Sequence, residues 1–202
     1  LRRKPVTKLL SQITEGKLES RRSKYNTIVQ QDLFFVSECL CEGIVVENDL
    51  AENVMGKLGA VARTSVFWEQ RKKALEYFRK LVRTQQYGDL ANKNLRVMLN
   101  APLDISAKTD IATILYESSL KFIEKRMEAA QAFFMLAKQP DITLNQSVDI
   151  LLSLYGISPE GSQEEYDAEE QLLEMANNQS RDIYFALYGK TSNKENTRKR
   201  LT

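Results

Sequence analysis

Between Thr109 and Gln139 the chain runs without a glycine or a proline, and its apolar residues recur at intervals of three and four. Ile111, Leu115, Phe122, Ile123, Met127, Ala130, Phe133, Phe134 and Ala137 therefore share one face of a 3.6-residue period. That pattern predicts one long central helix over residues 109–139. Thr109 or Asp110 is a candidate cap, Asp104 and Ser106 are earlier ones, and Pro140 closes the far end because its ring does not tolerate a helical residue before it. At about 1.5 Å per residue a single rod would span roughly 45 Å. Ser118 and Ser119 interrupt the stripe, so the alternative is two helices, 110–120 and 123–138, folded against each other. The small residues Ala129, Ala130, Ala132 and Ala137 would let a second helix approach closely.

The rest of the chain is punctuated but follows the same period. Only eight glycines and four prolines occur in 202 residues, too few for a fold built on many tight turns. Leu, Ala, Glu, Lys, Gln and Arg dominate, and all favour helix. The expected fold is all-α: an irregular stack of antiparallel helix pairs, about eight or nine helices, around the long one. A first helix uses Val6, Leu9, Leu10 and Ile13. A second runs from Tyr25 to Leu40, with Phe34 and Phe35 widening its stripe and Gly43 as its stop. A third uses Leu50, Val54, Leu58 and Val61. In a fourth, opened by Ser65, Phe67, Trp68, Leu75, Phe78, Leu81 and Val82 face one way. Leu90 to Leu99 forms a fifth. Beyond Pro140, one helix carries Leu144, Val148, Leu151, Leu152 and Tyr155, with Gly156 as an expected left-handed cap. Ser162 with Glu165 three residues later opens an acidic helix as a capping box. Ser180 begins a last short one.

The net charge of +2 conceals two opposite halves. Residues 1–100 carry 18 Lys and Arg against 11 Asp and Glu, a balance of +7, and residues 101–202 carry 11 against 16, a balance of −5. This divides the chain into a basic helical half, 1–100, an acidic helical half, 101–189, and a basic tail, 190–202, whose lack of apolar periodicity predicts mobility. Such a layout favours contact with partners of opposite sign, including a second copy of the chain. Arg21, Arg22 and Lys24 open the second helix, where cations oppose the helix dipole and so do not stabilise that end. Arg71, Lys72, Lys73, Arg79, Lys80 and Arg83 crowd the fourth. Together these nine residues are the candidate contacts for phosphate or another anion. Trp68 and Tyr77 have the chemistry to stack on bases, yet aromatic residues at helical spacing are expected in the core.

There is no histidine. Ser-His, Cys-His and His-metal chemistry are thereby removed, no glycine-rich phosphate loop occurs, and no catalytic, metal or cofactor residue is assigned. Cys39 and Cys41 are two apart, which suits neither a disulfide within a helix nor a zinc site, so both are expected as small apolar residues. No apolar run reaches the length of a membrane span and no secretory signal pattern opens the chain, which predicts a soluble intracellular protein without a membrane partner, cytoplasmic or nuclear. A chain opening on Leu1 is expected to be a fragment or a processed form.

Three short resemblances complete the sequence. Lys194, Glu195 and Asn196 resemble the KEN degradation signal read by the anaphase-promoting complex, and Arg198, Lys199 and Arg200 resemble a nuclear-localisation cluster. Ala129, Ala130, Phe133, Phe134, Ala137 and Pro140 resemble the second helix of a tetratricopeptide unit. That last likeness covers one unit and is not repeated over 65–82, so no family is assigned. The expectation for function is a non-enzymatic helical scaffold or adaptor in a larger assembly; the alternative is a DNA- or RNA-binding accessory protein using the basic half.

Overall fold

A computed structural model describes residues 3–15 and 30–179. Among them are nine helices and no strand: α1 (Arg3–Glu15), α2 (Gln31–Cys41), α3 (Asn48–Thr64), α4 (Trp68–Leu81), α5 (Gly88–Leu99), α6 (Ile105–Ser119), α7 (Ile123–Ala137), α8 (Leu144–Ile157) and α9 (Gln163–Gln179). The expected all-helical stack of packed pairs is the fold. The chain divides into two compact units, Leu1–Leu103 and Asp104–Thr202.

In the first unit α3 packs on α2, α4 and α5, while α1 covers α2 and α3. Val36, Leu40, Val54, Met55, Leu58, Phe78, Leu81 and Leu95 are fully enclosed there. Helix α2 ends as its sequence predicts. Gly43 takes φ +82°, the Ile44 amide donates to the Cys39 carbonyl, and the Gly43 amide donates to the Leu40 carbonyl, the two bonds of a Schellman motif. The extended link after it is clamped by buried Tyr87, whose hydroxyl donates to the Ile44 carbonyl (2.8 Å) and accepts from the Val46 amide (3.0 Å). Gly88 follows directly, and there a side chain has no room: a Cβ would lie 2.9 Å from the Val82 carbonyl oxygen.

In the second unit α6 and α7 form a hairpin, α8 packs against both, and α9 packs on α8 and touches α7. Asp104 caps α6 by accepting from the Ala107 amide (2.8 Å). Thr143 and Gln146 form a full capping box at α8. At α9 the Ser162 hydroxyl accepts from the Glu165 amide, and the Glu165 carboxylate accepts from the Gly161 amide (2.7 Å). The left-handed glycine lies there too, at Gly161 (φ +68°), whereas α8 continues helically through Gly156.

The long central helix over 109–139 does not form. It breaks at Leu120–Phe122 into α6 and α7, the arrangement of the two-helix alternative. The Ser118 hydroxyl donates to the Leu115 carbonyl and the Ser119 hydroxyl to those of Leu115 and Tyr116, serving acceptors at the end of α6. The Phe122 amide then turns back to the Ser119 carbonyl, and Phe122 leaves the helix at φ −125°, ψ 103°. Such serine contacts are weak helix disruptors. Burial decides the matter. Interrupting the rod forgoes a few backbone bonds of about 1 kcal/mol each. Folding α7 back encloses Ile111, Ile114, Phe133 and Leu136, each contributing about 1.5–3 kcal/mol.

Candidate functional site

The most basic surface described is built on α4, and a corner of apolar residues precedes it. Helix α4 buries Ala74, Leu75, Tyr77, Phe78 and Leu81, which leaves Lys72, Lys73 and Lys80 exposed and Arg79 half-buried, with Arg83 exposed in the turn that follows. By the helical period, Trp68, Lys72 and Arg79 lie along one line, with Lys73 and Lys80 on a second line beside it. Glu69 and Glu76 stand exposed among them. Lys73 sits over the Phe34 ring (4.8 Å), and Lys80 bridges Glu38 on α2 (2.9 Å). The hydrogen bond from Lys80 holds the Glu38 carboxyl below the usual carboxylate range. Arg71 leaves this group: it turns to the other side of α4, where its Nε donates to the Ser65 carbonyl.

Trp68 is not core, contrary to the expectation from its spacing. Tyr77 is, stacked on Phe34 at 5.6 Å with its phenol pushed up to about 12 by burial and by Glu38. Val66, Phe67 and Trp68 are 89%, 51% and 62% exposed. Ser65 shapes their corner. Its hydroxyl donates to the Gln70 side chain (2.8 Å) and accepts from the Phe67 amide, so the chain crosses from α3 to α4 in a tight bend with these three side chains outside. Lys72 lies 5.6 Å from the Trp68 ring centroid, a cation over an aromatic face. A shallow groove beside the corner is lined by Lys57, Ala60, Val61, Thr64, Phe67 and Gln70 among others.

A second corner of similar chemistry joins α6 to α7. Leu120, Phe122, Ile123 and Met127 are exposed there, although three of them belong to the predicted stripe, and Lys125 lies 5.3 Å from the Phe122 ring. Sequence reading missed both corners. The available signal was the run of consecutive apolar residues, Val66 to Trp68 and Phe122 to Ile123, because adjacent positions on a helix cannot all face one core.

Deeper in the second unit, Arg126 donates from Nε to Glu164 Oε1 (2.8 Å), with 15% and 4% of the two side chains exposed. Nearby the Tyr116 hydroxyl donates to Ser158 Oγ (3.2 Å). Burial alone would raise the Glu164 carboxyl, but the hydrogen bond and charge of Arg126, with backbone and Ser162 contacts, hold it below its ordinary value. These groups neutralise one another and brace α7 to α9. Cys39 and Cys41 are free and half-buried; burial raises the first thiol and pushes the second up to about 11, so little reactive thiolate forms. Among the described residues no cluster of three or more His, Cys, Asp or Glu is placed to hold a metal, and no helix is long and apolar enough to cross a membrane. Arg21, Arg22 and Lys24 lie outside the described residues, as do Lys194, Glu195 and Asn196, the last short helix and the tail 190–202. No family model, no curated protein and no solved structure matches the chain.

Proposed function

We propose that the chain is a non-enzymatic helical adaptor that holds a protein partner, inside the cell and as a subunit of a larger assembly. One observation carries this reading: the only tryptophan of the chain stands exposed with Val66 and Phe67 at the corner between two packed helices. Tryptophan is enriched among the few side chains that dominate binding energy at interfaces. Contiguous exposed apolar residues rimmed by charge are the usual mark of such a surface. Lys72, whose ammonium lies over the Trp68 ring, supplies charge at the rim.

The test is Phe67→Ser with Trp68→Ser in the full chain, compared with wild type by quantitative co-purification from native extract. The double variant should lose partner capture by about 30-fold, since an interface hot spot contributes at least about 2 kcal/mol. Its melting temperature should change little, because exposed residues contribute little to folding. A variant that captures the same species in the same amount overturns the reading, as does a wild-type chain that purifies alone and turns over a small molecule.

A second reading is a nucleic-acid accessory role, favoured by Lys72 and Arg79 along one line of α4 and Arg83 just past its end. Glu69 and Glu76 among the cations and the engagement of Lys80 by Glu38 place it behind the first. If about four phosphates are neutralised, duplex affinity should fall on the order of 100-fold between about 50 and 200 mM salt. Oligonucleotide binding measured by fluorescence anisotropy checks this. Affinity that is absent at low salt, or unaltered when Lys72, Arg79 and Arg83 become alanine, removes the reading.

A further inference from the structure

We propose that one partner is a second copy of this chain, with the acidic face of α9 in one copy docked on the Trp68 corner and basic face of α4 in another. The inference rests on the adaptor reading and names its occupant. Helix α9 carries six carboxylates and no lysine or arginine between Gln163 and Gln179. Its inner face buries Ala168, Leu172 and Ala176. On another side, Tyr166, Glu169, Glu170, Leu173 and Glu174 follow one another at spacings of three, one, three and one, and together line a shallow surface groove. Tyr166 is 58% exposed, Glu170 and Glu174 are exposed, and Leu173 is half-buried. This is an apolar strip, one aromatic and one aliphatic, edged by carboxylates.

The α4 surface is its chemical complement. Phe67 and Trp68 present apolar area, Lys72 adds positive charge one turn along, and Arg79 and Arg83 extend that charge toward and past the far end of α4. Aromatic and aliphatic groups at the centre with opposite charges around them is the general plan of a specific interface. Charge complementarity of this kind speeds encounter and sets register while adding modest affinity per exposed pair. Both surfaces belong to every copy. The contact therefore repeats reciprocally, and it closes into a two-fold pair or propagates as a chain.

Sedimentation velocity on the nuclease-treated full chain, from about 1 to 100 µM and at low and high salt, tests the proposal; screening should weaken association as the Debye length shrinks from about 10 Å at 0.1 M to about 3 Å at 1 M. Association should grow with concentration, and the emission of Trp68, the single indole, should shift to shorter wavelength with it. Lys72→Glu with Arg83→Glu should abolish association, as should Glu170→Lys with Glu174→Lys in a separate chain. Mixing those two variants should restore it, because each then meets a surface of opposite sign. A wild-type chain that stays monomeric throughout overturns the proposal. So do variants that fail to associate on mixing, and so does association that leaves Trp68 emission unmoved. A monomer that still captures another protein through Phe67 and Trp68 removes self-association and leaves the adaptor reading standing.

Discussion

Replacing Phe133 by alanine is expected to destabilise the second unit by about 3–5 kcal/mol, the range for removing a buried aromatic side chain. Phe133 is fully enclosed on α7 and meets Tyr116 of α6 edge to face at 6.3 Å. That geometry adds about 0.5–1.5 kcal/mol beyond the area buried. Ala129, Ala130 and Ala137 beside it on α7 are too small to fill the space left, so the cavity term persists. Urea denaturation followed by circular dichroism measures the loss. The informative control is Phe122→Ala. Both phenylalanines belong to one predicted apolar stripe, but Phe122 is 59% exposed at the break between α6 and α7, and its removal should change stability by no more than about 0.5 kcal/mol. Equal losses for the two variants would restore the continuous rod and refute the hairpin.

Arg126→Ala is expected to cost about 3–5 kcal/mol, the range for stripping one partner from a buried ion pair. The loss arises from leaving the Glu164 carboxylate 96% enclosed without its guanidinium, and much less from forfeited attraction. It follows that Arg126→Met combined with Glu164→Leu should recover most of the stability, since a well-packed apolar pair of similar volume is often neutral. Lys80 and Glu38 provide the contrast: their pair is 55% and 40% exposed, and removing either should register under about 1 kcal/mol.

The same buried pair sets a pH dependence. The folded Glu164 carboxyl titrates below its ordinary value, so its contribution is complete above the unfolded carboxylate pKa of about 4.3 and is lost as pH falls through the folded value. Wild type should therefore lose stability below about pH 4.3 more steeply than Glu164→Gln, which has no proton to take up. Parallel denaturation midpoints of the two proteins between pH 5 and 3 would show that the pair contributes nothing to acid sensitivity.

Helix identity was legible because it depends on local facts. The spacing of Leu50, Val54, Leu58 and Val61 alone places α3, and all four are buried. Gly43 is readable as a stop because a left-handed residue after a helix favours a side chain without Cβ. Asp104 was readable as a cap because its short carboxylate reaches an amide three residues on. The cations of α4 were legible as a list, and the helical period sorts Lys72 and Arg79 from Arg71. What periodicity does not contain is which members of a stripe meet a neighbour. Phe67 and Trp68 share spacing with Leu75 and Phe78, yet the first two lie outside the bend made by Ser65 and the second two lie inside the bundle.

The sequence by itself determined that this chain is helical, where most of its helices start and stop, and that its charges divide into a basic and an acidic half. Only the tertiary structure decided that residues 109–139 make a hairpin, that Arg126 meets Glu164 thirty-eight positions away, and that Trp68 faces solvent. The physical reason is range. Helical periodicity and capping are settled within four residues along the chain, whereas burial and ion pairing depend on groups that only the folded chain brings together, and a few kcal/mol of such contacts outweigh the propensity of a segment to continue as it began.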